Sequence, residues 1–118
     1  MLEATHKVEA PGVTVILKGH LDAVTAPELE KKLIDLLSAS HEYLVVDLGE
    51  VGFVASAGLR VFLACAKKAK RSNRVLALCR LQPHVYQVFE LAGMTGLFPI
   101  HKTAEEAHAT LRSRGPAA

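Results

Sequence analysis

The sequence predicts one α/β domain with a small, mixed but mostly parallel β-sheet flanked by about four helices. Its 118 residues match the size of a single ordinary domain with one hydrophobic core. After an opening hairpin, short apolar runs alternate with segments whose apolar residues recur at helical spacing. Strands that alternate with helices are joined by right-handed crossovers and run parallel, which favours a mostly parallel sheet.

The hairpin and the first helix come before this alternation. Two strands are predicted at residues 5–9 and 13–18, on either side of a proline-glycine turn. The first helix is predicted to begin at Thr25, whose hydroxyl would cap it while Glu28 reaches back in a capping box. The inward stripe of this helix recurs at helical spacing and consists of Leu29, Leu33, Leu36 and Leu37.

The middle of the chain predicts two buried strands with a helix between them. Residues 43–48 and 74–79 are almost continuously apolar, which is typical of strands covered on both faces. Ser56 is predicted to be the N-cap of the intervening helix. Its inward face is predicted to carry Leu59, Phe62, Leu63 and Ala66. Basic residues crowd its last turns, where cations complement the helix dipole better than they indicate a nucleic-acid surface.

The last third of the chain predicts two more helices and a short strand. The third helix starts near Pro83 and stops at Gly93, a residue type that commonly ends helices. Its inward residues are predicted to be Val85, Val88, Phe89 and Ala92. Residues 98–100 are predicted to form a last short strand. Thr103 opens a fourth helix with the same capping pattern, and its inward residues are predicted to be Ala104, Ala107 and Leu111.

The composition excludes several classes of protein. Half of the residues are hydrophobic and 22% are charged, as in globular rather than disordered chains. The net charge is only 14 − 12 = +2 and tryptophan is absent, so no direct nucleic-acid partner is indicated. No apolar run approaches the roughly 20 residues that span a bilayer, and the N-terminus lacks a signal-peptide pattern. We therefore expect a cytoplasmic protein without a membrane partner, with one domain over residues 1–112 and a flexible tail over residues 113–118.

The cysteines and histidines do not indicate a metal site. Cys65 and Cys79 lie in apolar segments and do not form a C-x-x-C motif, so we expect buried free thiols that serve packing. The six histidines are scattered and lack the spacing of metal ligands. We expect no metal ion.

Enzyme motifs match poorly. The chain contains no phosphate-binding glycine loop of either common type. Ser56 and Gly58 form half of a G-x-S-x-G nucleophile elbow, but Val54 occupies the other glycine position and no aspartate follows Asp47. We therefore expect a protein that is not an enzyme and that has no catalytic residue and no cofactor. A small hydrolase is the weakest of the alternatives.

Ser56 admits two interpretations from the residues alone. It can be a capping hydroxyl, or a hydroxyl that is exposed at a helix start and sterically open beside Ala55, Ala57 and Gly58. A phosphate on such a hydroxyl would lie in the favourable field of the helix N-terminus. It would also add about −1.5 to −2 charges, enough to weaken a partner fitted to the neutral side chain. Composition leaves both interpretations open.

The string around Ser56 resembles a known signature. Residues 45–59 combine an Asp-Leu strand end, Phe53 and then Ala-Ser-Ala-Gly-Leu, which resembles the signature of STAS domains, specifically of the bacterial anti-sigma factor antagonists. Gly19-His-Leu-Asp22 is similar to the G-x-L-D motif of that family, and residues 88–94 and 105–107 resemble its C-terminal part. The resemblance extends over nearly the whole chain and implies the STAS fold.

The resemblance also implies a function. A member of this family binds, while unphosphorylated, an anti-sigma factor that is itself a serine kinase, and so releases a sigma factor for transcription. Phosphorylation of the serine that matches Ser56 weakens the complex, and a separate serine phosphatase resets it. The resemblance implies that Asp22, Ala55, Ser56, Ala57 and Gly58 contact the partner. From the residues alone, Asp22 is also explained as a turn carboxylate.

Two alanines depart from the family pattern. The acid that precedes the phosphorylated serine is Ala55 here, and the Ser or Thr that follows it is Ala57. The loss of a carboxylate removes a hydrogen-bond acceptor and a negative charge next to Ser56. This departure motivates an alternative, an unphosphorylated STAS-like interaction subunit of a signalling scaffold or a transporter complex.

Overall fold

Five strands and four helices make up the computed structural model, which describes residues 1–113. The strands are β1 (Leu2–Glu9), β2 (Gly12–Leu21), β3 (Tyr43–Val54), β4 (Val75–Cys79) and β5 (Ile100–His101). The helices are α1 (Ala26–Ser38), α2 (Ser56–Arg71), α3 (Pro83–Leu91) and α4 (Ala104–Ser113). This order confirms the predicted one. The predicted tail begins on the last residue of α4, and its other residues, 114–118, lie outside the described part of the chain.

The five strands form one sheet in the order β1-β2-β3-β4-β5. β1 is antiparallel to β2, whereas β2, β3, β4 and β5 are parallel to one another, so the predicted mixed, mostly parallel sheet is confirmed. Parallel strands end at the same edge of a sheet, and here the residues that follow them are Asp22, Ala55, Arg80 and Lys102. We call this side of the sheet the carboxyl edge.

Helices cover both faces of the sheet. α1, α2 and α3 pack on one face, around a core that includes Leu17, Leu33, Phe62 and Phe89. Among residues 1–113, only α4 covers the other face, where a smaller cluster joins it to β3 and β4. Cys65 and Cys79 are free and buried, as predicted, and burial raises the pKa of each thiol to about 12. They are therefore inert packing residues at neutral pH.

β3 is longer than the sequence predicts, and this extension carries the site. The sequence predicts a strand over residues 43–48, and the segment after it contains two glycines, which weaken a strand. β3 nevertheless continues to Val54 because β2 also continues, to Leu21, and the two residues pair in register. The pairing shifts twice, and the second shift follows Gly19, whose φ of +117° is open mainly to glycine. The predicted end of this strand at residue 48 was wrong because strand pairing overrides the local signal.

The buried face of α2 is rotated from the predicted one. The buried residues are Gly58, Val61, Phe62, Cys65 and Ala69, whereas Leu59, Leu63 and Ala66 pack only partly against the core. The physical reason is the contact at Gly58, where an added Cβ would lie 2.5 Å from Cγ of Leu21. The helix turns its glycine toward the sheet, which brings its axis closer to β2.

The two last helices agree with prediction except in detail. Gly93 has φ of +71° and follows the C-cap of α3, as predicted, but Ala92 is that C-cap and is exposed rather than inward. Thr103 Oγ1 accepts a hydrogen bond of 3.0 Å from Glu106 N, which confirms the predicted cap of α4. The buried side of α4 also carries His108, which periodicity analysis of apolar residues did not include.

Candidate functional site

The segments that carry Asp22 and Ser56 leave the sheet side by side. The last residues of their strands, Leu21 and Val54, are paired, and Ala55 N donates a hydrogen bond of 2.8 Å to Leu21 O. The loop after β2 is therefore tied to the start of α2. The structure brings together all the residues that the sequence analysis assigned to the partner surface, namely Asp22, Ala55, Ser56, Ala57 and Gly58.

Ser56 is the first residue of α2, not its N-cap. Ala55 is the N-cap, with extended backbone angles of φ −88° and ψ 172°, and no side chain in the described part of the chain caps the helix start. The N–H groups of Gly58 and Leu59 donate to Ala55 O at 2.9 and 3.2 Å. The prediction that Ser56 caps the helix was wrong because Ala55 takes that place. Ser56 is exposed, so its hydroxyl is sterically open at the end of the helix that carries partial positive charge.

Gly58 lies beneath this surface rather than on it. It is buried, and an added Cβ would clash with Leu21, whose Cγ would lie 2.5 Å away, and would meet Val54 Cγ1 closely at 3.2 Å. Leu21 is itself fully buried and has little room to move. Gly58 therefore positions Ser56 by allowing the first turn of α2 to rest on the ends of β2 and β3.

Asp22 organises the loop next to Ser56. Its Oδ1 accepts hydrogen bonds from Val24 N at 3.0 Å and from Thr25 N at 3.1 Å. The bond from the Thr25 backbone is the main reason why the pKa of the Asp22 carboxyl is lowered. These backbone contacts all use Oδ1, and the carboxylate is half-exposed. The structure thus shows the turn role of Asp22 that the residues alone suggested.

Thr25 does not form the predicted capping box. Its Oγ1 donates to His20 O at 3.0 Å and accepts from Asp22 N at 3.0 Å, so its hydroxyl faces back into the loop. No side-chain hydrogen bond from the described residues caps α1. That prediction was wrong because the hydroxyl finds its hydrogen-bond partners in the loop after β2. The hydrogen bonds between Asp22 and Thr25 hold these two residues together.

Two exposed apolar residues lie on the segments that carry Asp22 and Ser56. Val24 lies at the tip of the loop that Asp22 organises, and Phe53 lies three residues before Ser56, on the extension of β3; both are exposed. The ring of Phe53 meets the ring of His20 edge-on, with centroids 6.1 Å apart. Sequence reasoning did not select either residue for the surface. The sequence offered one signal for Phe53: it is a large apolar residue near a strand end, outside the apolar pattern that marks the core.

The extension of β3 is held from its other side by α3. His84 Nε2 lies 2.7 Å from Gly52 O, and Gln82 Nε2 donates to Gly49 O at 3.1 Å. β4 ends at Cys79, so it does not pair with this extension of β3. The two side chains take the place of the missing strand partner. The segment that leads to Ser56 is therefore supported on both sides.

Asp47 has a structural role away from this surface. It is buried and pairs with Arg80, whose Nη1 lies 3.2 Å from Asp47 Oδ2. Its Oδ1 also accepts from Gly49 N at 2.9 Å. Within residues 1–113, no group of three or more His, Cys, Asp or Glu side chains is placed to hold a metal ion. Within the same residues, no helix has both the length and the apolar character needed to cross a membrane.

Comparison with known proteins assigns this architecture. The family model described as the STAS domain matches residues 3–107. A Bordetella bronchiseptica protein, BtrV, provisionally named an anti-sigma factor antagonist, is 36% identical over 100 residues, which cover 85% of this chain and 86% of that protein. The anti-sigma-B factor antagonist of Listeria monocytogenes is 28% identical over 94 residues, covering 80% of this chain and 82% of that protein.

A solved structure agrees with these relatives. The crystal structure of an anti-sigma factor antagonist from Mycobacterium paratuberculosis superposes with a TM-score of 0.86 and 26% identity, over 95% of each chain. The named relatives are regulatory binding proteins rather than enzymes. The fold, the matched family model and the signature string around Ser56 agree, and the chain belongs to the STAS domain family, with anti-sigma factor antagonists as its relatives.

Proposed function

We propose that this protein is an anti-sigma factor antagonist that binds its anti-sigma factor through the surface around Ser56 and is switched off by phosphorylation of Ser56. The observation that carries the proposal is the exposed hydroxyl on the first residue of α2, beside the loop that Asp22 organises. Its relatives' names support the class of partner. The partner is an anti-sigma factor that is also a serine kinase.

The switch acts at one atom. The kinase transfers the γ-phosphoryl group of ATP to Ser56 Oγ, the hydroxyl loses its proton, and ADP leaves. A phosphate at this position lies at the N-terminus of a helix, where its charge is favourable for the fold. The same phosphate adds about −1.5 to −2 charges to the contact surface. The protein therefore stays folded while its affinity for the partner falls, and a serine phosphatase that hydrolyses the ester restores binding.

The small residues around Ser56 support access by a kinase. Ala55 and Ala57 present only methyl groups on either side of the hydroxyl. Asp22 keeps the adjacent loop in one conformation through its contacts with Val24 and Thr25, so the surface is ordered before the partner arrives. Preorganisation of this kind reduces the entropy lost on binding.

The test compares serines on the two ends of one helix. Ser72, the C-cap of α2, is exposed and provides a matched control for Ser56. The protein is incubated with the anti-sigma factor kinase of its own organism and ATP, and its intact mass is measured. Wild type and Ser72→Ala are expected to gain one phosphoryl group, whereas Ser56→Ala gains none but still binds. Phosphorylation of Ser56→Ala, or none of wild type, contradicts the proposal.

The second candidate is a STAS interaction subunit that is not phosphorylated. Ala55 favours it, because the N-cap of α2 has no carboxylate next to Ser56. In that case the partner binds equally well in the presence and absence of ATP. A pull-down with and without ATP separates the two functions.

A further inference from the structure

We propose that a groove at the far end of α2 from Ser56 binds an amphiphilic anion with an acyl chain and a carboxylate head, as in a medium-chain fatty acid. The groove lies between the C-terminal half of α2, the start of β4 and residues 96–99, and we call it the basic groove. Lys70 follows Ser56 by 14 positions (70 − 56), or about 21 Å along the helix. The site is therefore separate from the surface around Ser56 and does not rest on the proposed function.

The walls of the basic groove are mainly apolar. Leu63 and Ala66 line it from α2. Both pack only partly against the core, because the buried face of the helix is rotated toward Gly58. Leu97 lines it from the segment before β5 and is 50% exposed. Apolar surface that the fold leaves open in a concave site favours an acyl chain, which is stabilised by the loss of contact with water.

The basic groove also has the size and the order of a small-ligand site. Its volume is about 460 Å³, within the range of about 300–1,000 Å³ that is typical of such sites. Leu97 N donates a hydrogen bond of 3.1 Å to Met94 O, and Met94 and Phe98 are buried. The wall that carries Leu97 is therefore fixed before a ligand arrives, which reduces the entropy lost on binding.

Three cations line the basic groove. They are the exposed Lys67 and Lys70 and the half-buried Arg74, and no acidic residue is among the lining residues. Within residues 1–113, none of the three cations forms an ion pair. Positive side chains beside apolar walls are complementary to a ligand with an anionic head and an apolar body.

Nearby acids do not neutralise these cations. Residues 51–89 and 91–104 contain no Asp or Glu. Glu90 separates these two segments, and Glu42 follows His41, whose carbonyl oxygen accepts a hydrogen bond from Arg74 Nη1. Neither glutamate lines the groove. The positive charge at the groove is therefore available to a ligand.

The helix dipole does not account for so many cations. The C-terminus of a helix is equivalent to about −0.5 charge. The last carbonyls of α2 accept hydrogen bonds from the backbone N–H groups of residues 72–74, so they need no lysine as a donor. Against this half charge, five basic residues follow one another closely: Lys67, Lys68, Lys70, Arg71 and Arg74.

The first experiment measures the binding of octanoate, decanoate and dodecanoate to the purified protein, below the concentrations at which they form micelles. Titration calorimetry gives the Kd, and amide NMR shifts locate the site. The affinity is expected to rise about two- to fourfold for each methylene that is buried. The amide signals of Gly96 and Leu97 are expected to shift, while that of Ser56 stays in place. An affinity that does not depend on chain length, or shifts confined to other residues, overturns the inference.

The second experiment compares two double variants of α2. Lys67→Gln/Lys70→Gln and Lys68→Gln/Arg71→Gln remove the same net charge from the same part of the helix, but Lys68 and Arg71 do not line the groove. The first is expected to weaken dodecanoate binding about threefold or more. The second is expected to weaken it less than about twofold, because charges outside the site are screened by salt. Equal losses would assign the binding to general charge attraction and overturn the inference.

A pair of leucines tests the apolar half of the site. Leu97→Ala is expected to weaken dodecanoate binding about threefold or more, because part of the apolar wall is removed. Leu91 is 82% exposed and does not line the groove, so Leu91→Ala is expected to stay within about twofold of wild type. If the two variants behave alike, the acyl chain does not lie in the groove.

Sedimentation with phosphatidylglycerol vesicles distinguishes a free amphiphile from a membrane surface. The wild-type protein is expected to stay in the supernatant. Sedimentation that is lost in Lys67→Gln/Lys70→Gln would assign the groove to a membrane surface and overturn the inference. Absence of dodecanoate binding by wild type overturns it as well, and leaves the proposed function untouched.

Discussion

Ala55 N donates to Leu21 O at 2.8 Å, and this bond joins the start of α2 to the end of β2. The two residues are 34 positions apart in the chain (55 − 21), yet the bond places the loop of Asp22 beside Ser56. The surface around Ser56 is therefore a product of strand pairing, and substitutions that disturb the ends of β2 and β3 are expected to disturb the surface as well.

Gly58→Ala is expected to destabilise the protein. Its Cβ would lie 2.5 Å from Cγ of the fully buried Leu21, and overpacking of this kind costs about 1–3 kcal/mol. The better helix propensity of alanine offsets at most about 1 kcal/mol. The net loss of unfolding free energy is expected to be about 1–2 kcal/mol, measured by urea denaturation. Gly96→Ala is the control, because a Cβ there meets nothing within 4 Å. Equal stability of the two variants would refute the close contact.

Ala55→Asp is expected to stabilise the protein. Ala55 is the N-cap of α2 and leaves the helix start without a side-chain cap. A carboxylate at this position accepts hydrogen bonds from the first turn and interacts with the helix dipole, which together are worth about 1 kcal/mol. Thermal unfolding measures the gain. Ala109→Asp places the same charge on an exposed position inside α4 and is expected to give no gain. A similar rise in both variants would show a net-charge effect instead of capping.

Asp22→Ala is expected to loosen the loop next to Ser56, whereas Asp22→Asn is expected to keep it closed. The amide oxygen of asparagine can replace Oδ1 as the acceptor for Val24 N and Thr25 N, and alanine offers no acceptor. Amide hydrogen exchange of Val24 and Thr25 is the measurement. We expect faster exchange in Asp22→Ala and nearly native exchange in Asp22→Asn. Protection that survives the alanine substitution would mean that Asp22 does not hold the turn.

His108 fastens α4 to the sheet. Its Nδ1 lies 2.8 Å from Tyr43 OH, and its Nε2 lies 2.6 Å from Thr14 Oγ1 and 2.9 Å from Glu9 Oε2. A neutral imidazole satisfies these partners when Tyr43 donates to Nδ1 and Nε2 carries the proton. Desolvation lowers the pKa of His108 below 6.5, the neighbouring Glu9 acts in the opposite direction, and Arg112 adds to the lowering.

The stability of the protein is therefore expected to fall on acidification. The unfolded chain binds a proton at His108 as the pH falls through 6.5, before the folded protein does. The contribution of His108 is present above pH 6.5 and is lost toward its lower folded pKa. The pKa of Glu9 is lowered, mainly by its hydrogen bond from Thr14, so its contribution is lost further down, below pH 4.5.

Urea denaturation across this pH range tests the fastening role of His108. His108→Gln cannot titrate, so it is expected to lose part of the slope of stability against pH that wild type shows as the pH falls below 6.5. It is also expected to be less stable than wild type by about 1–3 kcal/mol at neutral pH, since Tyr43 and Thr14 lose a buried partner. If wild type and His108→Gln show the same slope, the histidine does not control this pH dependence.

The errors of sequence-based prediction have a common origin. The inward face of α2 was predicted from the spacing of apolar side chains. Gly58 decides which side of the helix meets the sheet, and a glycine has no side chain that such spacing can include. Thr25 carried a sound capping pattern, yet its hydroxyl found partners in the preceding loop. His108 was passed over because a polar residue does not register as part of an apolar stripe. In each case the deciding partner lies on another element or in a loop.

The sequence by itself determined the order of strands and helices, the mixed and mostly parallel sheet, and the string around Ser56 that resembles the family signature. These properties follow from spacing and residue type over short stretches, which the chain carries locally. Only the tertiary structure decided that β3 runs on to Val54, that Ala55 takes the N-cap, and that the loop of Asp22 is tied to the start of α2. Each of these results depends on the pairing of β2 with β3. The free energy of that pairing depends on both segments, so neither segment alone predicts it.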